Sequence, residues 1–261
     1  MSQEDSPVAN QVADQSARTD AIAGGKSGDG PGAKSPPRPW VLGVTGLVAG
    51  LLVWLVLELS YPYFRVPQEL LERIPLSFPP PHLLEELGVA QQQVNWKNSG
   101  MTGLLMGIIA SVAFAGARAA TRGGADSKKM LLLGIACGGV VGGLAGLISQ
   151  TALLRLLETA EPMTATLGCH VVFWAMLGGG LGTALGVGQG AKQRLPGLLV
   201  QGLLAGGVFA LLYTPLAAYV FPVDEAERLV PASMANRAVW SVLGLTLLGV
   251  VLGSVSERRT E

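Results

Sequence analysis

The stretch that decides the fold is "MLGGGLGTALGVGQG", residues 176–190, in which seven of fifteen residues are glycine. Glycine at this density serves either a loop that cradles a phosphate or a helix face pressed against another helix. A dinucleotide-binding loop needs a strand, then G-x-G-x-x-G, then a helix. Glycines at 178, 179, 180, 182, 186, 188 and 190 do not make that fingerprint. They do set Gly178, Gly182 and Gly186 four apart, on one face of a helix. Without a Cβ, two helix backbones can approach closely and gain van der Waals contact where lipid supplies no hydrophobic drive.

The surroundings favour the helix. The stretch belongs to an apolar run over 168–188. Five more runs cover about 40–59, 100–119, 130–152, 196–220 and 238–255. A hydrocarbon core about 30 Å thick needs roughly 20 helical residues. Each run is near that length, and none carries a charge in its middle. Hydrophobic residues make up 49% of the chain and charged residues 14%, against about 25% charged in ordinary soluble domains. The expected fold is all-α: a polytopic membrane bundle of six Gly-rich transmembrane helices.

The domain plan follows. Residues 1–39 are polar, lack aromatic residues and read as a disordered cytoplasmic tail. The membrane domain covers 40–255, and 256–261 form a short second tail. Lys34, Arg38, Arg118, Arg122, Lys128, Lys129, Lys192, Arg194, Arg258 and Arg259 all fall on one side of a six-span topology. By the positive-inside rule that side is cytoplasmic, so both termini are inside. Short loops fit a bacterial inner (plasma) membrane. The 18 basic and 18 acidic residues cancel, which gives no footprint for nucleic acid.

Small-residue spacing recurs in every run: Gly46 and Gly50, Gly103 and Gly107, Gly138 and Gly142, Gly178 and Gly182, Gly202 and Gly206, Gly249 and Gly253. With Gly186 these are the candidate packing residues. Leu185 is expected to matter less than Gly182. "VTGLVAG" (44–50), "ACGGVVG" (136–142) and "VQGLLAG" (200–206) resemble one another. Three repeated helical hairpins would explain this; so would the general likeness of Gly- and Leu-rich helices. The longest connection, 60–98, is expected on the outer side. It holds two short amphipathic segments, "ELLERI" (69–74) and "HLLEEL" (82–87), separated by prolines.

Catalytic chemistry is hard to find. Gly25, Lys26 and Ser27 resemble the end of a phosphate loop, but Asp20 stands where its first glycine is required. The chain's G-x-S-G lies in the polar tail, away from any span. His82, His170, Glu58, Glu85 and Glu86 are metal-ligand types without ligand spacing. No catalytic, metal or cofactor site is assigned. Cys137 and Cys169 read as small buried hydrophobes. Polar groups inside the spans are Thr45, Ser111, Thr183, Gln201, Tyr213, Thr214 and Thr246. Gln201 stands out, because an amide in hydrocarbon needs a partner: an interhelical hydrogen bond or a solute. Pro215 removes a backbone hydrogen bond within the fifth run.

Three functions follow from this. The first is a non-catalytic membrane protein acting through helix packing or partner binding. Its partners are the lipid bilayer and a protein or second copy met through Gly-rich faces. The second is a small-solute transporter or channel, resting on six spans, Gln201 and Pro215. The third is a membrane-embedded enzyme with an outer-side site.

Overall fold

The structure, a computed structural model, describes residues 39–75, 77–122, 127–188, 195–222 and 228–257. The helices are α1 (Pro39–Ser60), α2 (Gln68–Glu72), α3 (Pro81–Arg122), α4 (Ser127–Leu157), α5 (Pro162–Gly188), α6 (Leu195–Val220) and α7 (Met234–Glu257). No strand occurs among the described residues. All but α2 are long and apolar enough to cross a membrane. The N-terminal tail up to residue 38, the basic residues Lys34, Arg38, Lys192, Arg194, Arg258 and Arg259, and the acidic residues 224, 225 and 227 lie outside the described residues.

Local chemistry sets the helix starts. Pro39, Pro81 and Pro162 each occupy a first helical position, where the missing N–H costs no hydrogen bond. Ser233 caps α7: its Oγ accepts the Asn236 backbone N–H at 3.3 Å. The helices are apolar on the outside as well as the inside. Val48, Leu51, Leu52 and Leu55 of α1 and Leu204, Val208, Leu211 and Leu212 of α6 are exposed. In water this would be a liability; in hydrocarbon it is a compatible surface.

Three antiparallel pairs have backbones in near contact. Between α3 and α4, a Cβ on Gly103 would overlap the Gly142 carbonyl, one on Gly107 the Gly138 carbonyl, and one on Gly146 the Ser99 carbonyl. Between α5 and α6, the same holds for Gly178 against Gly202, Gly182 against Leu198, and Gly206 against Trp174. Between α1 and α7, Gly46 meets the Leu245 carbonyl, Gly249 meets that of Leu42, and a Cβ on Gly50 would lie 2.6 Å from Val242 Cα. Gly186 is looser, with Leu195 Cα at 3.2 Å from its would-be Cβ. Gly253 is buried. The tight pairs therefore join α3 to α4 and α5 to α6, and the last span closes against the first.

The most interior span is α5, with 61% of its apolar window buried against 33% for α4 and for α6. The Gly-rich stretch thus lies in the middle of the bundle. Two expectations change here. Residues 82–87 are not a separate short helix. They begin α3, whose 42 residues give a length of about 63 Å at 1.5 Å per residue, roughly twice a hydrocarbon core. No helix-breaking residue separates them from the apolar run after Pro81, so the helix continues. Leu185 is buried, 6% exposed, and belongs to the core. Its truncation would open a cavity, so it is not the mild comparison position expected from its place off the glycine ridge.

Better comparison positions are glycines with open space. Gly207 has no atom within 4 Å of its would-be Cβ. We predict that Gly107→Leu and Gly182→Leu each lower stability in detergent by about 3 kcal/mol, since backbone carbonyls cannot move aside. Gly207→Leu should stay within about 0.5 kcal/mol of the parent. Thermal unfolding measures this, and parental stability in Gly107→Leu would remove the close-packing argument.

Candidate functional site

One end of the bundle carries the C-termini of α1, α4 and α6, the N-termini of α3, α5 and α7, and the connections between them. At this loop end, α5, α6 and α7 surround a cavity of about 150 Å³. Its polar lining is Thr166, His170, Tyr213, Thr214, Arg228 and Asn236; its apolar lining includes Met163, Ala217, Phe221 and Pro231.

The polar groups arrive from separate elements. His170 sits two turns into α5, and its Nδ1 lies 2.9 Å from the Thr166 carbonyl one turn back. A carbonyl only accepts, so Nδ1 carries a proton in this contact. Nε2 is buried, and the Leu229 backbone also approaches the ring as a hydrogen-bond acceptor. Tyr213 of α6 donates its phenolic O–H to Asn236 Oδ1 at 2.7 Å, tying α6 to α7. Thr214 is 5% exposed, and its buried Oγ1 has no hydrogen-bond partner. Pro215 follows immediately, and α6 continues through it.

One turn deeper along α5 and α6, beneath the lining residues, the core becomes aromatic. Phe209 stacks on Tyr213 with centroids 5.5 Å apart, and Trp174 meets Phe209 edge-on at 4.6 Å. Trp240 stacks on Phe173 at 5.3 Å. All four of these deeper rings are buried. They form a floor under the cavity.

Beside the cavity, Arg237 of α7 clasps Glu58 of α1 with both carboxylate oxygens, at 2.8 and 3.1 Å. Both side chains are largely buried, and Arg237 also donates to the carbonyls of Pro231 and Ala232. Those two contacts fix the segment that carries one wall. On the far side, Asn98 bonds the Phe64 backbone in both directions, and Ser99 donates to Gln150 Oε1 at 3.0 Å.

The residues singled out by sequence distribute unevenly. Tyr213, Thr214 and His170 converge. Gln201 does not reach the cavity; it lies three turns away along α6, and its buried Oε1 has no hydrogen-bond partner. The metal-ligand types are dispersed: Glu58 pairs with Arg237, Glu86 with exposed Arg73, and His170 lies in the cavity wall. Among the described residues no three His, Cys, Asp or Glu side chains converge. Both cysteines are free thiols.

Three residues escaped the sequence reading. Asn236 and Arg228 were not singled out there, although Ser233 three positions before Asn236 has the spacing of a helix cap. Arg118, counted as a loop cation, is 0% exposed. The extension of α3 to Arg122 carries it inside the opposite end of the bundle, beside Ser111, Gly134 and Ala184.

Comparison of the chain with protein-family models, with curated proteins and with solved structures finds no match in any of the three.

The Glu58–Arg237 pair holds the first and last spans together at this end. We predict that Arg237→Ala costs about 3 kcal/mol in detergent, because it strands a largely buried carboxylate. Arg73→Ala breaks an exposed pair and should cost less than about 1 kcal/mol. Equal melting temperatures for the two variants would contradict the assigned role of the buried pair.

Proposed function

We propose that this chain is a non-catalytic, multi-pass integral membrane protein that binds a small polar solute in the cavity at its loop end. The carrying observation is the lining. His170 Nε2 and Thr214 Oγ1 are buried in the cavity wall without hydrogen-bond partners, in a space as large as an engineered cavity that admits benzene. Unsatisfied buried polar atoms cost free energy, so a site that keeps them is suited to a polar occupant.

The rest of the reading supports this site. The Gly faces pack each antiparallel pair, and three related pairs form the bundle as an internal repeat. The glycine overlaps favour this arrangement: Gly46, Gly138 and Gly202, equivalent in the three similar segments, meet Leu245, Gly107 and Gly178. Those faces meet one another within the chain, so solute binding ranks ahead of self-association through them. The positive-inside pattern puts the loop end outside, in a bacterial inner membrane with both termini cytoplasmic. Transport is the second reading. Pro215 favours it, since α6 lacks one backbone donor beside Thr214, where the aromatic floor would have to part.

The test uses a variant with Cys137 and Cys169 replaced by Ala and Thr214 by Cys. In intact cells, a small impermeant methanethiosulfonate reagent is expected to modify this single thiol from outside. A thiol that reacts only after the cytoplasm is opened reverses the orientation. A thiol inert in both settings removes the open cavity and, with it, the binding reading.

A further inference from the structure

We infer that the chain carries a second binding site, a groove between the start of α3 and the end of α4 that takes the ring of a free, neutral sugar. This goes beyond the cavity reading, and the groove shares no lining residue with that cavity. It forms because two helices part. Near Gly146 their main chains touch, since a Cβ there would overlap the Ser99 carbonyl. About one turn further on, Trp96 Nε1 donates to Thr151 Oγ1 at 3.3 Å. At Gly88, about 12 Å beyond Trp96 along α3, no atom lies within 4 Å of a would-be Cβ. The space that opens is about 710 Å³, within the range of roughly 300–1,000 Å³ in which small-molecule sites fall.

The lining is rich in side-chain amides. Gln91, Gln92 and Asn95 come from a single turn of α3, and Gln91 and Asn95 are half-buried. None of these three side chains is hydrogen-bonded to another described residue. Gln91 and Asn95 stand one turn apart, a rise of about 6 Å. An amide holds an acceptor beside two donors. Neighbouring hydroxyls match it, since each hydroxyl both gives and takes a hydrogen bond. Leu154, on the facing wall, suits the C–H side of a ring.

Charge argues for a neutral ligand. Arg155 and Glu158 both line the groove and pair with each other at 3.7 Å. An anion drawn to the guanidinium would meet the carboxylate beside it, and like charges set together are costly. A peptide is the other neutral candidate. Extended peptides take a free strand edge, and helical ones take an apolar groove. Here both walls are helices, whose main chain is bonded internally, and the lining is polar. Entry is from water. α3 is about twice as long as a hydrocarbon core requires, and the exposed ring of Trp96 marks the interface. The groove closes at Trp96 and opens away from the apolar run.

The probes are the methyl glycosides of glucose, galactose and mannose; the last two each differ from glucose in one hydroxyl. Saturation-transfer NMR at millimolar concentration uses the full chain in phosphatidylcholine nanodiscs. We expect at least one glycoside to receive saturation, with the weak affinity proper to a small, exposed ligand. Gln91→Ala combined with Asn95→Ala should weaken its binding about tenfold, through two lost hydrogen bonds. Gln93→Ala, exposed on the same helix but outside the groove, should leave it unchanged. Alanine is the best helix former, so α3 stays intact in these variants.

Five results overturn the inference. The first is no transfer to any of the three glycosides, and the second is transfer undiminished in the double variant. Equal transfer to cyclohexanol, which lacks neighbouring hydroxyls, removes the amide pairing. Displacement by triglycine at the same concentration makes the groove a peptide site. Displacement by glucosyl diacylglycerol in the nanodisc makes the occupant a lipid headgroup rather than a free sugar. The cavity reading stands or falls separately, on the labelling of Thr214→Cys.

Discussion

The bundle depends on backbone meeting backbone. At twelve of the described positions in three antiparallel pairs, a methyl group would run into the main chain of the facing helix. Main chain cannot rotate away as a side chain can, so the separation of each pair is set by the absence of a Cβ. The hydrophobic effect does not hold such helices together in hydrocarbon. The gain comes from close van der Waals contact, which weakens steeply over a gap of 0.5–1 Å. The composition follows from this. A chain with 36 glycines among 261 residues would be a poor helix former in water. In a membrane, every backbone polar group must be satisfied internally, and that requirement keeps the helices formed.

The same packing explains where the polar chemistry collects. Through the middle of the bundle the pairs are tight, and the remaining volume is filled by Trp174, Trp240, Phe173 and Phe209. Gly244 is part of that fit, since a Cβ there would overlap the Trp174 ring. Towards the loop end the spans α5, α6 and α7 separate, and the rings give way to His170, Tyr213, Thr214 and Asn236. An apolar floor under a polar cup suits a binding site. It shields the hydrogen bonds from bulk water and so raises their electrostatic strength.

Much of the fold was legible because membrane helices announce themselves by length and apolarity. The six runs correspond to six helices, and Gly178 and Gly182 do face another helix's main chain. The start of α3 was harder. "HLLEEL" has the composition of a surface helix, and nothing in its own residues says that it joins the apolar run after it. Arg118 was misplaced for a related reason: a cation near the end of an apolar run reads as loop, and only the course of α3 past it shows that it is enclosed. Of the cavity, Tyr213, Thr214 and His170 drew attention as polar groups in or near apolar segments. Arg228 and Asn236 did not, because polarity in a connection is ordinary.

By itself the sequence determined the class of element, the number of spans and the helix faces without side chains. These are local properties: hydropathy over some 20 residues, and spacing by four on a helix. Only the tertiary structure decided which faces meet. The pairing of the first span with the last, the clasp of Glu58 by Arg237, and the meeting of His170 with Thr214 and Asn236 join residues far apart in the chain. Such contacts arise from the mutual fit of whole helices, and no window of sequence contains them.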